Sequence, residues 1–145
     1  MKDILLLGAN GFLGNRVEKR LYEDNYKFSS LYGKDNLDLT NYDSLDNFLK
    51  KNSFKKIINC AAFVGGISYG DEYKIKLFNI NNLINKNIYQ SASNNNISQI
   101  INPISNCAYP KYYEMYSEEN FWNGEPDESV YSYGMAKRNQ VILSK

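Results

Sequence analysis

At 145 residues the chain is long enough for one domain with a buried core, and its 17 basic and 16 acidic residues leave a net charge of +1. No block of like charge is present, which argues against nucleic acid or a membrane surface as partner, and no apolar run or leader-like start points to a membrane, so a cytoplasmic protein is expected. Histidine is absent, and Cys60 and Cys107 lie far apart without a companion thiol, which leaves no pattern for a metal site or a disulfide framework.

The first apolar run, Ile4-Leu5-Leu6-Leu7, reads as a buried strand, and Gly8-Ala9-Asn10-Gly11-Phe12-Leu13-Gly14 follows it directly. A helical pattern begins at Asn15, with Val17, Leu21 and Tyr22 at helical spacing and Asn25 as the stop. A strand, a glycine-rich turn and a helix in that order make the geometry that holds a pyrophosphate. Gly8 permits the tight turn, Gly11 lets backbone N–H groups approach the phosphates, and Gly14 lets helix and strand pack closely. The helix N-terminus adds unpaired donors and the positive end of a dipole. The spacing is G-x-x-G-x-x-G rather than G-x-G-x-x-G, and a plain strand-to-helix turn is the alternative. Gly8, Asn10, Gly11, Phe12, Leu13 and Gly14 are read as a dinucleotide-binding loop.

Residues 28–32 form a second short strand, Gly33-Lys34-Asp35-Asn36 has turn chemistry, and Leu37-Asp38-Leu39 reads as a third, very short strand. Thr40 is the expected cap of a helix through Leu49, with Tyr42, Leu45, Phe48 and Leu49 on one face. Ile57-Ile58-Asn59-Cys60-Ala61-Ala62 is typical of a strand buried on both faces, and Val64-Gly65-Gly66-Ile67 reads as a loop. A long helix is predicted over residues 73–93, with Leu77, Ile80, Ile84 and Ile88 in line, ended by Asn94-Asn95-Asn96. Residues 99–104 make a fifth strand broken by Pro103. A loop rich in tyrosine and acid leads to a last helix over residues 131–145. This alternation predicts an α/β fold, a doubly wound parallel sheet of the Rossmann type spanning residues 1–145. The last helix begins a crossover that no later strand completes, so the sheet is expected to be incomplete on its C-terminal side. Either another chain covers the open edge this leaves, or this chain is the N-terminal part of a longer protein and is without the C-terminal substrate-binding part; the second is expected.

The candidate chemistry lies late in the chain. Ser105 and Cys107 stand just past the fifth strand, and Tyr133 and Lys137 are four apart on one helix face. A tyrosine with a pKa near 10 is a poor acid–base group at neutral pH, and a lysine one turn away is expected to lower it. Tyr133-x-x-x-Lys137 therefore reads as a proton donor and its tuner, with Ser105 able to hold a carbonyl oxygen. In a chain with 13 tyrosines and many lysines, an accidental surface pair is the alternative.

The ordered set Gly8-x-x-Gly11-x-x-Gly14, Asp38-Leu39, Ala61-Ala62, Ser105 and Tyr133-x-x-x-Lys137 resembles an extended short-chain dehydrogenase/reductase of the NAD-dependent epimerase/dehydratase type. Within it, Ala61-Ala62-Phe63-Val64-Gly65-Gly66-Ile67 and Ser105-Asn106-Cys107-Ala108-Tyr109-Pro110-Lys111 resemble the GDP-L-fucose synthase branch. The resemblance implies an NADP(H)-dependent 4-ketoreductase and 3,5-epimerase acting on GDP-4-keto-6-deoxy-mannose, with a nucleotide sugar as substrate. It implies that the glycines cradle the pyrophosphate, that Asp38-Leu39 flank the adenine, and that Ala61 and Ala62 belong to the cofactor site. Ser105 and Tyr133 would polarise the C4 carbonyl, Lys137 would hold the ribose, and Cys107 matches the acid–base residue of epimerisation. A small buried hydrophobe is the alternative for Cys107, and Cys60 is read that way.

Asn10 replaces the arginine common in the branch's loop, while Lys34 falls where the family places a basic group on the adenosine 2′-phosphate. NADP(H) is therefore expected, with NAD(H) as second choice. Asn106 and the Phe121-Trp122-Asn123-Gly124 stretch also depart from the branch. The histidine that the resemblance implies as the cysteine's partner in epimerisation would lie beyond residue 145, and these residues contain none. The helices at 73–93 and 131–145 resemble the pair that forms a dimer bundle in extended reductases, so a homodimer is expected. The 145-residue chain alone is expected to be inactive, and a non-catalytic dinucleotide-binding module is the competing reading.

Overall fold

The structure, a computed structural model, describes residues 3–112 and 115–145; Tyr113 and Glu114 of the tyrosine-rich loop lie outside the described residues. Strands β1 (Ile4–Leu7), β2 (Phe28–Leu31), β3 (Lys56–Asn59) and β4 (Gln99–Ile101) form one parallel sheet in the order β2-β1-β3-β4. The helices are α1 (Phe12–Glu23), α2 (Tyr42–Lys51), α3 (Ile67–Glu72), α4 (Lys74–Asn94) and α5 (Tyr131–Leu143). Contacts divide the chain into two compact units, Met1–Ala62 with Lys86–Pro103, and Phe63–Asn85 with Ile104–Lys145.

The first unit contains the whole sheet. Its centre is β1, where Leu5, Leu6 and Leu7 have no exposed surface, each worth about 1.5–3 kcal/mol of apolar burial. Every residue of β1 has a parallel partner on both sides: Leu7 is opposite Leu31 of β2 and Asn59 of β3. Strand order reverses beside β1, so the loops after β1 and β3 meet at the topological switch point, where open α/β sheets bind ligands.

The sequence overcounts strands. Leu37-Asp38-Leu39 is irregular and enters a turn at Leu39 instead of forming a strand; Asp38 Oδ1 accepts from Thr40 N (3.0 Å) and from Thr40 Oγ1 (2.6 Å), which takes the backbone out of a ladder. The cap of α2 is Asn41, whose side chain accepts from Ser44 N at 3.0 Å, not Thr40, which is committed to Asp38. Strand β3 stops at Asn59, and β4 keeps only three residues. Tyr22 is exposed while Leu21 and Val17 pack under the sheet, so the buried stripe of α1 is narrower than expected. The expected stops do operate: Asn25 and Asn96 take φ of 57° and 56°, the left-handed conformation that ends a helix.

In the second unit, the loop at Val64-Gly65-Gly66-Ile67 already turns into α3 at Ile67. Tyr73 caps α3, so the long helix α4 begins at Lys74. Of its predicted stripe, Leu77 and Ile84 are buried in this unit, and Ile88, also buried, falls in the first. A 3₁₀ turn at Asn106–Ala108 packs against α5.

Candidate active site

In the first unit, the glycine loop is held by the sheet on both sides. Ala9 N donates to Leu31 O (3.0 Å), and Cys60 N donates to Leu7 O (2.9 Å). Gly8 has φ +76°, and a Cβ there would lie 2.7 Å from Ala61 N, so Gly8 and Ala61 are brought together. A Cβ on Gly14 would lie 2.0 Å from Gly8 O, which makes Gly14 the close contact between helix and turn. Gly11 is different: its φ of −76° suits any residue, and a Cβ would meet only Gly8 O at 3.3 Å. Two of the three glycines are thus demanded by the fold, while at the middle one a Cβ would have a single close neighbour, the Gly8 carbonyl oxygen, at the start of α1. That start has no side-chain cap and no acidic residue in its first turn, so its donors and dipole stay available to an anion. Phe12 is 82% exposed and Leu13 43%, apolar side chains standing at the mouth of the loop. These features fit the pyrophosphate of a dinucleotide.

The other predicted cofactor residues fall nearby in the same unit. Lys34 Nζ pairs with Asp38 Oδ2 at 3.1 Å, and Asp38 is held below the usual carboxylate range first by the Thr40 hydroxyl. Leu39 O accepts from Asn87 Nδ2 at 3.0 Å. Asn10 is exposed beside Gly33. Asn59, buried at the end of β3, accepts from Ala61 N (3.1 Å) and donates to Asn102 (3.0 Å), which fixes the Ala61-Ala62 turn. Ala62 lies in the loop past that bond.

The second unit carries Ser105, Cys107, Tyr133 and Lys137. Ser105 Oγ accepts from Cys107 N at 3.2 Å and so caps the 3₁₀ turn. Cys107 and Tyr133 line one cleft of about 260 Å³, together with Val64, Gly65, Gly66, Ile67, Leu77 and Val130, and with Lys74 and Glu128 at charged positions. Ser105 and Lys137 are not among its lining residues. Lys137 is buried, donates to Gln140 Oε1 at 3.1 Å, and stands 5.7 Å from the centre of the Tyr133 ring.

The phenol of Tyr133 is shifted upward, first by burial and then by charge on Cys107. This reverses the expected lowering by Lys137: the ammonium lies over the ring and bonds Gln140, while burial acts on the phenolate directly. At neutral pH Tyr133 therefore holds its proton.

Three further residues shape this site without standing out in the sequence. Asn81 brackets the Phe63 peptide, accepting from its N–H (2.9 Å) and donating to its carbonyl (2.7 Å), which fixes the start of the Val64–Gly66 loop. Gly134 lets α5 touch the 3₁₀ turn, since a Cβ there would lie 2.1 Å from Cys107 O. Arg138 is buried and donates to Ala108 O at 2.7 Å. A lone glycine inside a helical pattern is the one signal that could have marked Gly134.

No group of three His, Cys, Asp or Glu among the described residues could hold a metal, and no helix among them is long and apolar enough to cross a membrane.

Known proteins resemble this chain in sequence and in fold. A GDP-L-colitose synthase of Yersinia pseudotuberculosis is 30% identical over 141 residues, covering 97% of this chain and 46% of that protein. A probable GDP-L-fucose synthase of Drosophila melanogaster is 28% identical over 141 residues, covering 95% of this chain and 44% of that protein. The crystal structure of a GDP-L-fucose synthetase from Naegleria fowleri bound to NADP superposes with a TM-score of 0.87 at 28% identity, over 99% of this chain and 44% of that one. The chain thus spans less than half the length of these relatives. Residues 4–143 match the model of the NAD dependent epimerase/dehydratase family. With its glycine loop at the switch point of a parallel sheet, the chain belongs to the NAD dependent epimerase/dehydratase family.

Proposed function

We propose that the protein carrying this chain is an NADP(H)-dependent, cytoplasmic 4-ketoreductase of a nucleotide sugar, with a 3,5-epimerase step of the kind that turns GDP-4-keto-6-deoxy-mannose into GDP-L-fucose. The observation that carries this reading is the common cleft of Cys107 and Tyr133. Family membership and an NADP-bound relative support the cofactor.

Gly8, Gly11 and Gly14 would hold the pyrophosphate, Asp38 and Leu39 the adenine, Lys34 the 2′-phosphate and Lys137 the nicotinamide ribose. When bound, the reduced dinucleotide supplies a hydride to the keto carbon. Tyr133, kept protonated by burial, gives its phenolic proton to the carbonyl oxygen, so C=O becomes CH–OH; Ser105, which caps the turn carrying Cys107 but does not itself line the cleft, would orient that oxygen by a hydrogen bond once substrate is bound. In the epimerase step, the Cys107 thiolate takes a proton from a carbon beside the keto group, and the configuration inverts when a proton returns on the opposite face. The pair α4 and α5 would dimerise, and these helices expose Phe78, Leu83 and Ile142.

The test is made in the protein that carries this chain. Tyr133→Phe is expected to abolish oxidation of NADPH by a 4-keto nucleotide sugar while leaving NADPH binding unchanged. Cys107→Ser is expected to slow deuterium wash-in at the carbons flanking the keto group, read by mass spectrometry, while reduction of an already epimerised substrate persists. Full turnover by the Tyr133→Phe variant would overturn the reductase assignment, and undiminished wash-in in the Cys107→Ser variant would overturn the epimerase step.

A further inference from the structure

Arg138 follows Lys137 on α5, yet its side chain leaves the solvent, with 6% of the residue exposed. Its Nε donates to Ala108 O at 2.7 Å and its Nη2 to Phe121 O at 2.9 Å. The guanidinium carbon lies 5.5 Å from the ring centres of both Phe121 and Trp122. Among the described residues no carboxylate stands within ion-pair distance of it. A buried cation without a paired anion is costly unless its donors are used, and here they are used on two backbone carbonyls from separate segments. An apolar side chain would fill the same space; it would not fix two carbonyl positions, which the rigid fork of a guanidinium does.

One of those carbonyls belongs to the residue after Cys107. The preceding carbonyl, of Cys107 itself, lies against the backbone of Gly134. Two consecutive carbonyls of the 3₁₀ turn are therefore gripped by the helix that carries Tyr133.

We propose that Arg138 is a positioning residue, clamping the Ser105–Ala108 turn to α5 so that Cys107 and Tyr133 keep their common cleft. What Cys107 and Tyr133 do there rests on the proposed function; the clamp itself does not.

The experiment therefore needs no turnover. Arg138→Met and Arg138→Lys are made in this chain, and alkylation of Cys107 and Cys60 by iodoacetamide is followed by peptide mass spectrometry from pH 6 to about 10, a range that brackets a thiol's ordinary pKa. Cys60 is the internal reference, and Trp122, the single tryptophan, reports on the guanidinium through its emission. In Arg138→Met the Cys107-to-Cys60 rate ratio is expected to rise roughly tenfold, the equivalent of about 1.4 kcal/mol for loss of a charge-assisted hydrogen bond, with a shift of Trp122 emission. In Arg138→Lys, which keeps the charge but not the fork, a smaller rise is expected, and this variant carries the test if the methionine variant does not fold. Parallel rises at both cysteines would mean general loosening and would overturn the proposal, as would a ratio equal to that of the unaltered chain.

Discussion

Gly134→Ala sets two effects of opposite sign against each other. In an exposed helix interior, replacing glycine with alanine is favourable by about 0.8–1 kcal/mol. Gly134 is buried inside α5, and the added Cβ would lie 2.1 Å from Cys107 O, 3.0 Å from Cys107 C and 3.0 Å from Pro126 Cβ. The first of these is more than 1 Å short of a van der Waals separation of roughly 3.5 Å. The obstacle is backbone, so no side-chain rotation relieves it. Either α5 or the 3₁₀ turn must retreat, which also stretches the 2.7 Å bond from Arg138 to Ala108 O. Overpacking of this kind costs about 1–3 kcal/mol, and the lost hydrogen bond adds to it, so the clash outweighs the propensity gain. A net loss of about 1–2 kcal/mol is expected, a fall of roughly 3–8 °C in the thermal midpoint. Circular dichroism against temperature, repeated in urea, measures it. A midpoint raised by the substitution, as helix propensity alone would give, would refute the close packing of α5 on the Cys107 turn.

Gly14→Ala meets a similar backbone obstacle, 2.0 Å from Gly8 O, and is expected to destabilise the chain in the same thermal assay; an unchanged midpoint would contradict the packing of α1 on the loop. Lys34→Ala is expected to weaken NADPH more than NADH in a binding titration, and an unchanged ratio would leave Lys34 as the surface partner of Asp38. Asp46 is buried and held below the usual carboxylate range, first by its hydrogen bond from Lys50 and also by Asn95. A depressed folded value means stability that is present above a pH of about 4 and lost as pH falls through the folded pKa. Urea unfolding between neutral and acid pH should thus fall more steeply in the unaltered chain than in Asp46→Asn; equal slopes would remove Asp46 from the acid response.

Much of the fold was legible because its signals were local. The run Ile4–Leu7, the glycine loop and the stops at Asn25 and Asn96 each act within a few residues. What was not legible depended on hydrogen bonds that sequence spacing does not encode. Leu37-Asp38-Leu39 has a strand's alternation, yet the Asp38 carboxylate bonds Thr40 and turns the chain. The candidate site divides in the same way. Cys107 and Tyr133 were read from a motif and do share a cleft, while the upward shift of the Tyr133 phenol comes from burial that no motif states. Arg138 and Asn81 act on carbonyls and amides far along the chain, so nothing in their neighbours marks them.

Gly11 separates ligand binding from folding, because its backbone conformation is ordinary and a Cβ there meets a single atom, Gly8 O, at 3.3 Å. Calorimetric titration of NADPH into the unaltered chain and into Gly11→Val, with circular dichroism to confirm the fold of each, therefore tests the dinucleotide loop most directly. Saturable binding by the unaltered chain and its loss in a folded Gly11→Val are expected, since the branched side chain enters the pyrophosphate path. Equal affinities, or no binding by the unaltered chain, would contradict the assignment of this loop to a dinucleotide.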